Sequence, residues 1–368
     1  VARARGTTDA VLLAGEALLA PLDRLRAALL GALGRAAGPW MADPLRRAAW
    51  LGSLGLASTL ALTILAPGLL LALGPIVLGV PHLVSDLRYL VLRPRLHRVR
   101  AFLVLALVPC ALAFFWPVLE VAGLALVGAA VGAPGPVARE LSARPARHLA
   151  LLRRAPVAAL GVTLVFAGRE TGRLGELLFA HAHNALAVFG LLAVSAPRAR
   201  RRLAPFALLA AVFATLLLAG VVPTEAAQSG AALRPFELDA WSLAATLSPL
   251  DDPALAHRFV ALFAFGQALH YLVWLRLVPE LARPRRGPRS FRQSLRALRA
   301  ELGAPLLLGA LVLAAALPAW GTFELGAARD AYLRLALFHG PLELAAFAAL
   351  FIAGRAPWAC WSRAECTP

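Results

Sequence analysis

The sequence predicts an all-α protein, a polytopic transmembrane helical bundle. Three observations carry that prediction: an apolar content far above the globular range, uncharged runs of span length, and arginines gathered between those runs. Of the 368 residues, 60% are apolar before the 29 glycines are counted, against about 45–50% with glycine included for a soluble chain. That content fills about ten spans at about 20 residues each. A mean hydropathy of +0.73 coexists with a net charge of +17 because charge and apolarity occupy different stretches. An ordinary soluble enzyme is therefore excluded. So are a repeat solenoid and a disordered tail, since no 20–50-residue period and no polar low-complexity segment is present.

Uncharged runs place ten spans at 49–66, 69–92, 101–119, 121–137, 155–168, 175–196, 204–222, 255–276, 303–320 and 331–353. The apolar run from Ala48 to Val84 is too long for one span, and Pro67-Gly68 divides it into two. Three segments follow: 1–48, a cytoplasmic N-terminal segment; 49–353, the transmembrane helical domain; and 354–368, a cytoplasmic tail. Residues 8–36 read as an amphipathic helix on the inner surface rather than a signal peptide, because Glu16, Asp23, Arg24 and Arg26 interrupt the apolar stretches. The loop at 223–254 has enough apolar residues, Phe236 and Trp241 among them, to form a lid or an interfacial helix.

Sidedness tests the span count independently. With the N-terminus inside, the inner loops hold Arg46 and Arg47, Arg93 to Arg100, Arg139 to Arg154, Arg198 to Arg202 and Arg283 to Arg299. The outer loops hold few arginines, matched by Glu225, Asp251, Asp252 and Asp330. Every loop then obeys the positive-inside rule, with both termini cytoplasmic. Trp116, Trp241 and Trp320 fall near the outer boundary and Trp40, Trp50 and Trp274 near the inner one, where interfacial anchors belong. The expected location is a bacterial inner membrane. A pI of 11.6 carried by such clusters points to topology and anionic lipid, so no nucleic-acid partner is expected. Cys110, Cys360 and Cys366 are too scattered for a disulfide framework or a cysteine metal site; a Cys360–Cys366 bridge stays open.

Ionisable side chains inside spans are costly and mark function. His82 and Asp86 stand at i, i+4 in the second span, His339 and Glu343 at i, i+4 in the tenth, His181-Ala-His183-Asn184 in the sixth and His270-Tyr271 in the eighth. At 1.5 Å per residue, His183 and His339 lie about 12 Å and His82 and His270 about 20 Å below the outer boundary, within one central band. Neutral imidazole is a ligand for iron, zinc, copper and nickel. The reading is a four-histidine metal site of His82, His183, His270 and His339, with Asp86 and Glu343 accepting from the far ring N–H groups and orienting them. Asn184, Tyr271 and His181 stand around it. His181 and His183 are about 200° apart on a helix, so one of them faces the site, His183 by preference, and the other takes a different partner. Each histidine taken singly also reads as a hydrogen-bonded structural residue, and Asp86 as a partner of Arg88. His97, His148 and His257 read as solvated. A chain of His and acid residues also suits a proton-coupled transporter or channel.

Leu-Gly-Val-Pro-His82-x-x-x-Asp86 resembles a Pro-His-Gly-x-x-Asp segment of the Brp/Blh family of membrane β-carotene dioxygenases, with Leu83 where the family has glycine, and His183-Asn184 resembles a second segment of it. The resemblance covers under about a tenth of the chain. It implies a polytopic helical protein holding iron on histidines from several spans, a non-haem oxygenase acting on a lipophilic substrate such as a carotenoid. Zinc, copper or non-covalent haem would suit the same donors, no Cys-x-x-Cys-His being present. The sequence names no catalytic residue beyond these ligands and no oligomeric state.

Overall fold

The computed structural model describes residues 2–134, 145–222, 246–249, 252–283, 287 and 289–354. Among them every regular element is helical. An N-terminal helix α1 (Ala2–Ala32) precedes α2 (Pro44–Leu65), α3 (Pro67–Leu92), α4 (Arg100–Phe114), α5 (Val118–Gly132), α6 (Pro145–Thr171), α7 (Arg173–Val194), α8 (Pro197–Leu218) and α9 (Leu255–Leu281). After these come α10 (Phe291–Leu302), α11 (Ala304–Gly321), α12 (Leu325–Ala336) and α13 (His339–Ile352). Eight helical segments among the described residues are long and apolar enough to cross a membrane, α12 and α13 together forming one of them. The chain is thus an all-α bundle of the integral-membrane type.

Local chemistry sets the boundaries. Asp43 caps α2, its Oδ1 accepting from Leu45 N at 2.9 Å, with Pro44 at the first helical position. The chain breaks at Ala66 (φ −155°, ψ 61°) and restarts at Pro67, so the long apolar run is two helices, as its length requires. Two helices are shorter than the uncharged runs suggest. Trp116-Pro117 stops α4 at Phe114, and Pro134 limits α5 to Gly132. At 15 residues, α5 is about 22 Å long. It avoids a mismatch with lipid by being sheathed in protein: Val121, Ala122, Ala125, Ala129 and their neighbours are buried, and Gly123 and Gly161 let α5 and α6 pack backbone to backbone.

The three spans α3, α9 and α12–α13 have half or more of their residues inside the protein; the other membrane-length helices have a third or less. Outer helices such as α11 turn leucine and valine outward, with Val312 61% exposed, the surface expected against lipid tails. Trp274, expected as an interfacial anchor, is instead 1% exposed in the core beside Phe347. It lies on the C-terminal half of α9, which packs against α2 and α3.

Helix α10 opens with a capping box between Ser290 and Gln293. It packs along α1 through Arg296–Glu16 at 2.6 Å and Arg292–Asp23 at 3.2 Å, while Leu295 sits against Gly15. Its last turn latches onto α3: Glu301 takes Arg88 at 2.7 Å and Arg93 at 2.9 Å. Arg88 is therefore engaged by Glu301 and not by Asp86. The loop expected at 223–254 lies mostly outside the described residues, as do Trp241, the segment from 355 onward, Cys360 and Cys366, and the side chain of His148.

Burial opposes ionisation of Glu301, but the hydrogen bonds and charges of Arg88 and Arg93 outweigh it and hold the carboxyl at about 2, below its ordinary 4.5. A carboxyl depressed in the folded state stabilises that state fully above pH 4.5 and loses the contribution as pH falls toward 2. Docking of α10 should then persist to about pH 4.5 and loosen below it. Glu301→Gln should loosen it at neutral pH, read as faster proteolysis near Arg296 or a longer spin-label distance between α10 and α3.

Candidate metal centre

Four helices bring six ionisable side chains into one cluster, and proline shapes three of the helices. In α3, Pro75 and Pro81 interrupt the hydrogen-bond ladder, and π-helical turns at Gly74–Leu78 and Leu87–Leu92 flank the α-helical stretch Gly79–Asp86 that carries His82 and Asp86. In α9 a π-helical turn at Val273–Leu277 follows His270. There Pro279 has no N–H for the carbonyl of Trp274, and Ser85 Oγ donates to that oxygen at 2.6 Å. This bond ties α3 to α9 one turn from both His82 and His270. Between α12 and α13 the helix breaks ahead of Gly340-Pro341, and His339 Nδ1 donates to the Ala336 carbonyl at the end of α12. Gly266 removes the side chain that would keep α7 from α9; a Cβ there would stand 3.1 Å from Asn184 Cβ. Gly79 likewise makes room for the Tyr332 ring.

The four histidines are brought together. His82 Nε2 lies 3.0 Å from His270 Nε2, and His183 Nε2 lies 2.9 Å from His339 Nε2. Ring centroids of His183 and His270 are 4.6 Å apart and those of His82 and His339 5.2 Å. Glu343 contacts two of the rings, Oε1 at 3.3 Å from His270 Nε2 and Oε2 at 3.7 Å from His183 Nδ1. Asp86 Oδ2 lies 3.2 Å from His82 Nε2. His82, Asp86 and Glu343 have no exposed surface.

Three placements differ from the sequence expectation. Asp86 was expected behind the His82 ring; it stands beside Nε2, the nitrogen that also faces His270, because the α-helical i, i+4 spacing brings it alongside the ring's tip. Glu343 similarly stands at His270 Nε2. His181 is not part of the cluster: its Nε2 is paired with the Leu247 carbonyl at 3.0 Å, between the rings of Phe259 and Phe263. Asn184 and Tyr271 do adjoin the site, the Tyr271 ring 5.3 Å from His82. Ser85 and the Ala336 carbonyl were not singled out by sequence. Pro279 and the Trp274 carbonyl it leaves unbonded were the available signal for Ser85, and the Gly340-Pro341 pair the signal for the helix break that frees the Ala336 carbonyl.

The donor set fits a metal ion on two observations. Two donors each about 2.1 Å from one ion lie about 3.0–3.4 Å apart, depending on the angle at the ion; the close pairs here are 2.9, 3.0, 3.2 and 3.3 Å. Hydrogen bonding alone leaves the cluster unsatisfied. His339 commits its Nδ1 proton to Ala336, so its Nε2 carries a lone pair toward His183. Both oxygens of Asp86 are buried with no hydrogen-bond partner, an arrangement costly without a cation to share.

A cavity of about 540 Å³ adjoins the cluster. His183, His270 and His339 form its floor, Phe179, Phe263, Leu333 and Leu337 supply apolar wall, and Arg173 and Glu176 lie at the start of α7, about 15 Å and about 10 Å along the helix from His183. No protein-family model, no curated protein and no solved structure matches the chain, so the assignment rests on these residues.

If a metal holds the cluster together, it binds the native state alone and stabilises it, by about 4 kcal/mol at a free concentration of about 1,000 Kd. Exhaustive chelation should lower Tm by roughly 5–10 °C, and re-addition of divalent metal should restore it. An unchanged Tm would show that the donors are satisfied among themselves.

Proposed function

We propose that the protein is a membrane-embedded, metal-dependent oxygenase that uses iron on His82, His183, His270 and His339 to oxidise a lipophilic substrate such as a carotenoid. The observation that carries this reading is the convergence of the Nε2 atoms at 2.9–3.0 Å on the floor of a largely apolar cavity. The resemblance of Pro81-His82-x-x-x-Asp86 and His183-Asn184 to the Brp/Blh family supports the same class and the choice of iron. A lipid-soluble substrate reaches such a site sideways from the bilayer.

The topology that goes with this reading has ten spans and both termini on the cytoplasmic side of a bacterial inner membrane. It counts α4 and α5 as spans although both are short. Single cysteines at Gly230 and Ser290 should label from opposite faces; labelling from the same face would overturn the ten-span arrangement.

Iron held by neutral imidazoles supplies a site for activating dioxygen. The chain's own residues do the rest. Phe179, Phe263, Leu333 and Leu337 take the apolar body of the substrate and exclude water. The Ala336 carbonyl fixes the His339 tautomer so that Nε2 faces inward. Ser85, through the Trp274 carbonyl, keeps α3 and α9 in register and so holds His82 against His270. Asn184 Nδ2 is buried without a partner and borders the cavity, a donor for a polar group on substrate or product.

Metal analysis of the purified protein tests the proposal. Bound iron should be near-stoichiometric in the parent, and His82→Ala and His339→Ala should each hold less than about a tenth of it, while His97→Ala keeps it all. Oxygen uptake with a carotenoid in detergent should follow the same order, with labelled dioxygen appearing in carbonyl products. A metal-free protein that moves protons across vesicles would replace this reading with a relay through the same residues.

A further inference from the structure

The cluster holds more donors than one ion can use. Six side chains contribute, and an ion ligated by all six would be coordinatively full, with no position left for chemistry. The six also do not share one centre. Donors around a single ion lie within about 4.2 Å of one another, twice a bond of about 2.1 Å. Among the described residues, the sets whose donor atoms lie within 4.8 Å of one another are three overlapping triads: His82, His270 and His339; His183, His270 and Glu343; and His82, Asp86 and Glu343. The second and third triads have one residue in common, Glu343, a carboxylate with two donor oxygens.

Resting on the metal-centre reading above, the geometry points to a two-ion site in which Glu343 bridges an ion on His183 and His270 and a second on His82 and Asp86. His339, 2.9 Å from His183 and within the triad of His82 and His270, completes the set between them. This assignment explains why Asp86 stands at the tip of His82 rather than behind it, and why neither of its oxygens accepts a hydrogen bond. It also explains two acids in a cluster with no arginine: Arg88 is turned to Glu301, and the positive charge facing Asp86 and Glu343 comes from the ions. The two carboxylates offset part of that charge, and hydroxide from the adjoining cavity offsets more. Each ion would keep positions open, and two-metal sites, whose ions generally lie about 3.5–4 Å apart, are a known way to hold both ends of a reacting oxygen species.

Anaerobic titration of the full-length, metal-depleted protein with Fe(II), read by bound iron per chain and by Mössbauer and EPR spectroscopy, tests it without an activity assay. The expected result is two equivalents per chain and, after oxidation, a spin-coupled pair. Asp86→Asn should retain about one equivalent with no coupling, and Asp86→Glu should recover the second. One uncoupled equivalent in the parent overturns the two-ion site and leaves the single-metal proposal standing. No bound iron, with zinc and copper equally absent, overturns both. The parent's stoichiometry decides the matter even if the variants fail to fold.

Discussion

Within a bilayer every backbone carbonyl must find a donor inside the protein, and this constraint is what shapes the centre. Three of the four helices that build the site carry proline beside it, and each proline leaves an acceptor without its usual partner. The oxygen of Trp274, opposite Pro279 in the π-helical turn, is taken by Ser85, and the Ala336 carbonyl, left open at the break between α12 and α13, by His339. The repairs are made by side chains of neighbouring turns or helices, so satisfying the backbone and aligning the imidazoles are the same act. Without proline, α3, α9 and α13 would run as regular helices and none of these cross-links would have a reason to exist.

The surroundings reinforce that alignment. Small residues let helix pairs approach where the site needs them, as Gly266 does between α7 and α9 and Gly79 does beneath Tyr332. Beyond the end of α3, Glu301 occupies Arg88 and Arg93 together. Arg88, two residues from Asp86 in the chain, is thereby engaged elsewhere, and the buried acids face the histidines.

Much of this was legible in the sequence because the bilayer imposes simple rules. Uncharged length gives helices, and an ionisable residue inside one has few excuses. Thus His82, His183, His270 and His339 stood out and do meet. What escaped depends on where a side chain points rather than on its spacing. Asp86 at i+4 was equally suited to Arg88, to the back of His82 or to its tip, and only packing distinguishes them. His181 and His183 were known to diverge, but the Leu247 carbonyl that receives His181 comes from a distant stretch of chain. Trp274 carried an anchor's residue type at a plausible depth, yet the burial of the C-terminal half of α9 is a property of the whole bundle.

The interruption between α12 and α13 has a mechanical consequence. His339 opens α13, while the carbonyl that orients its ring belongs to α12. Tyr332, which packs on Gly79 of α3, also belongs to α12. The break acts as a joint with an imidazole for its pin. A change in the tilt of α12 would displace the Ala336 carbonyl that orients His339 and the Tyr332 ring that packs on Gly79 together, so these two contacts of the site are mechanically linked.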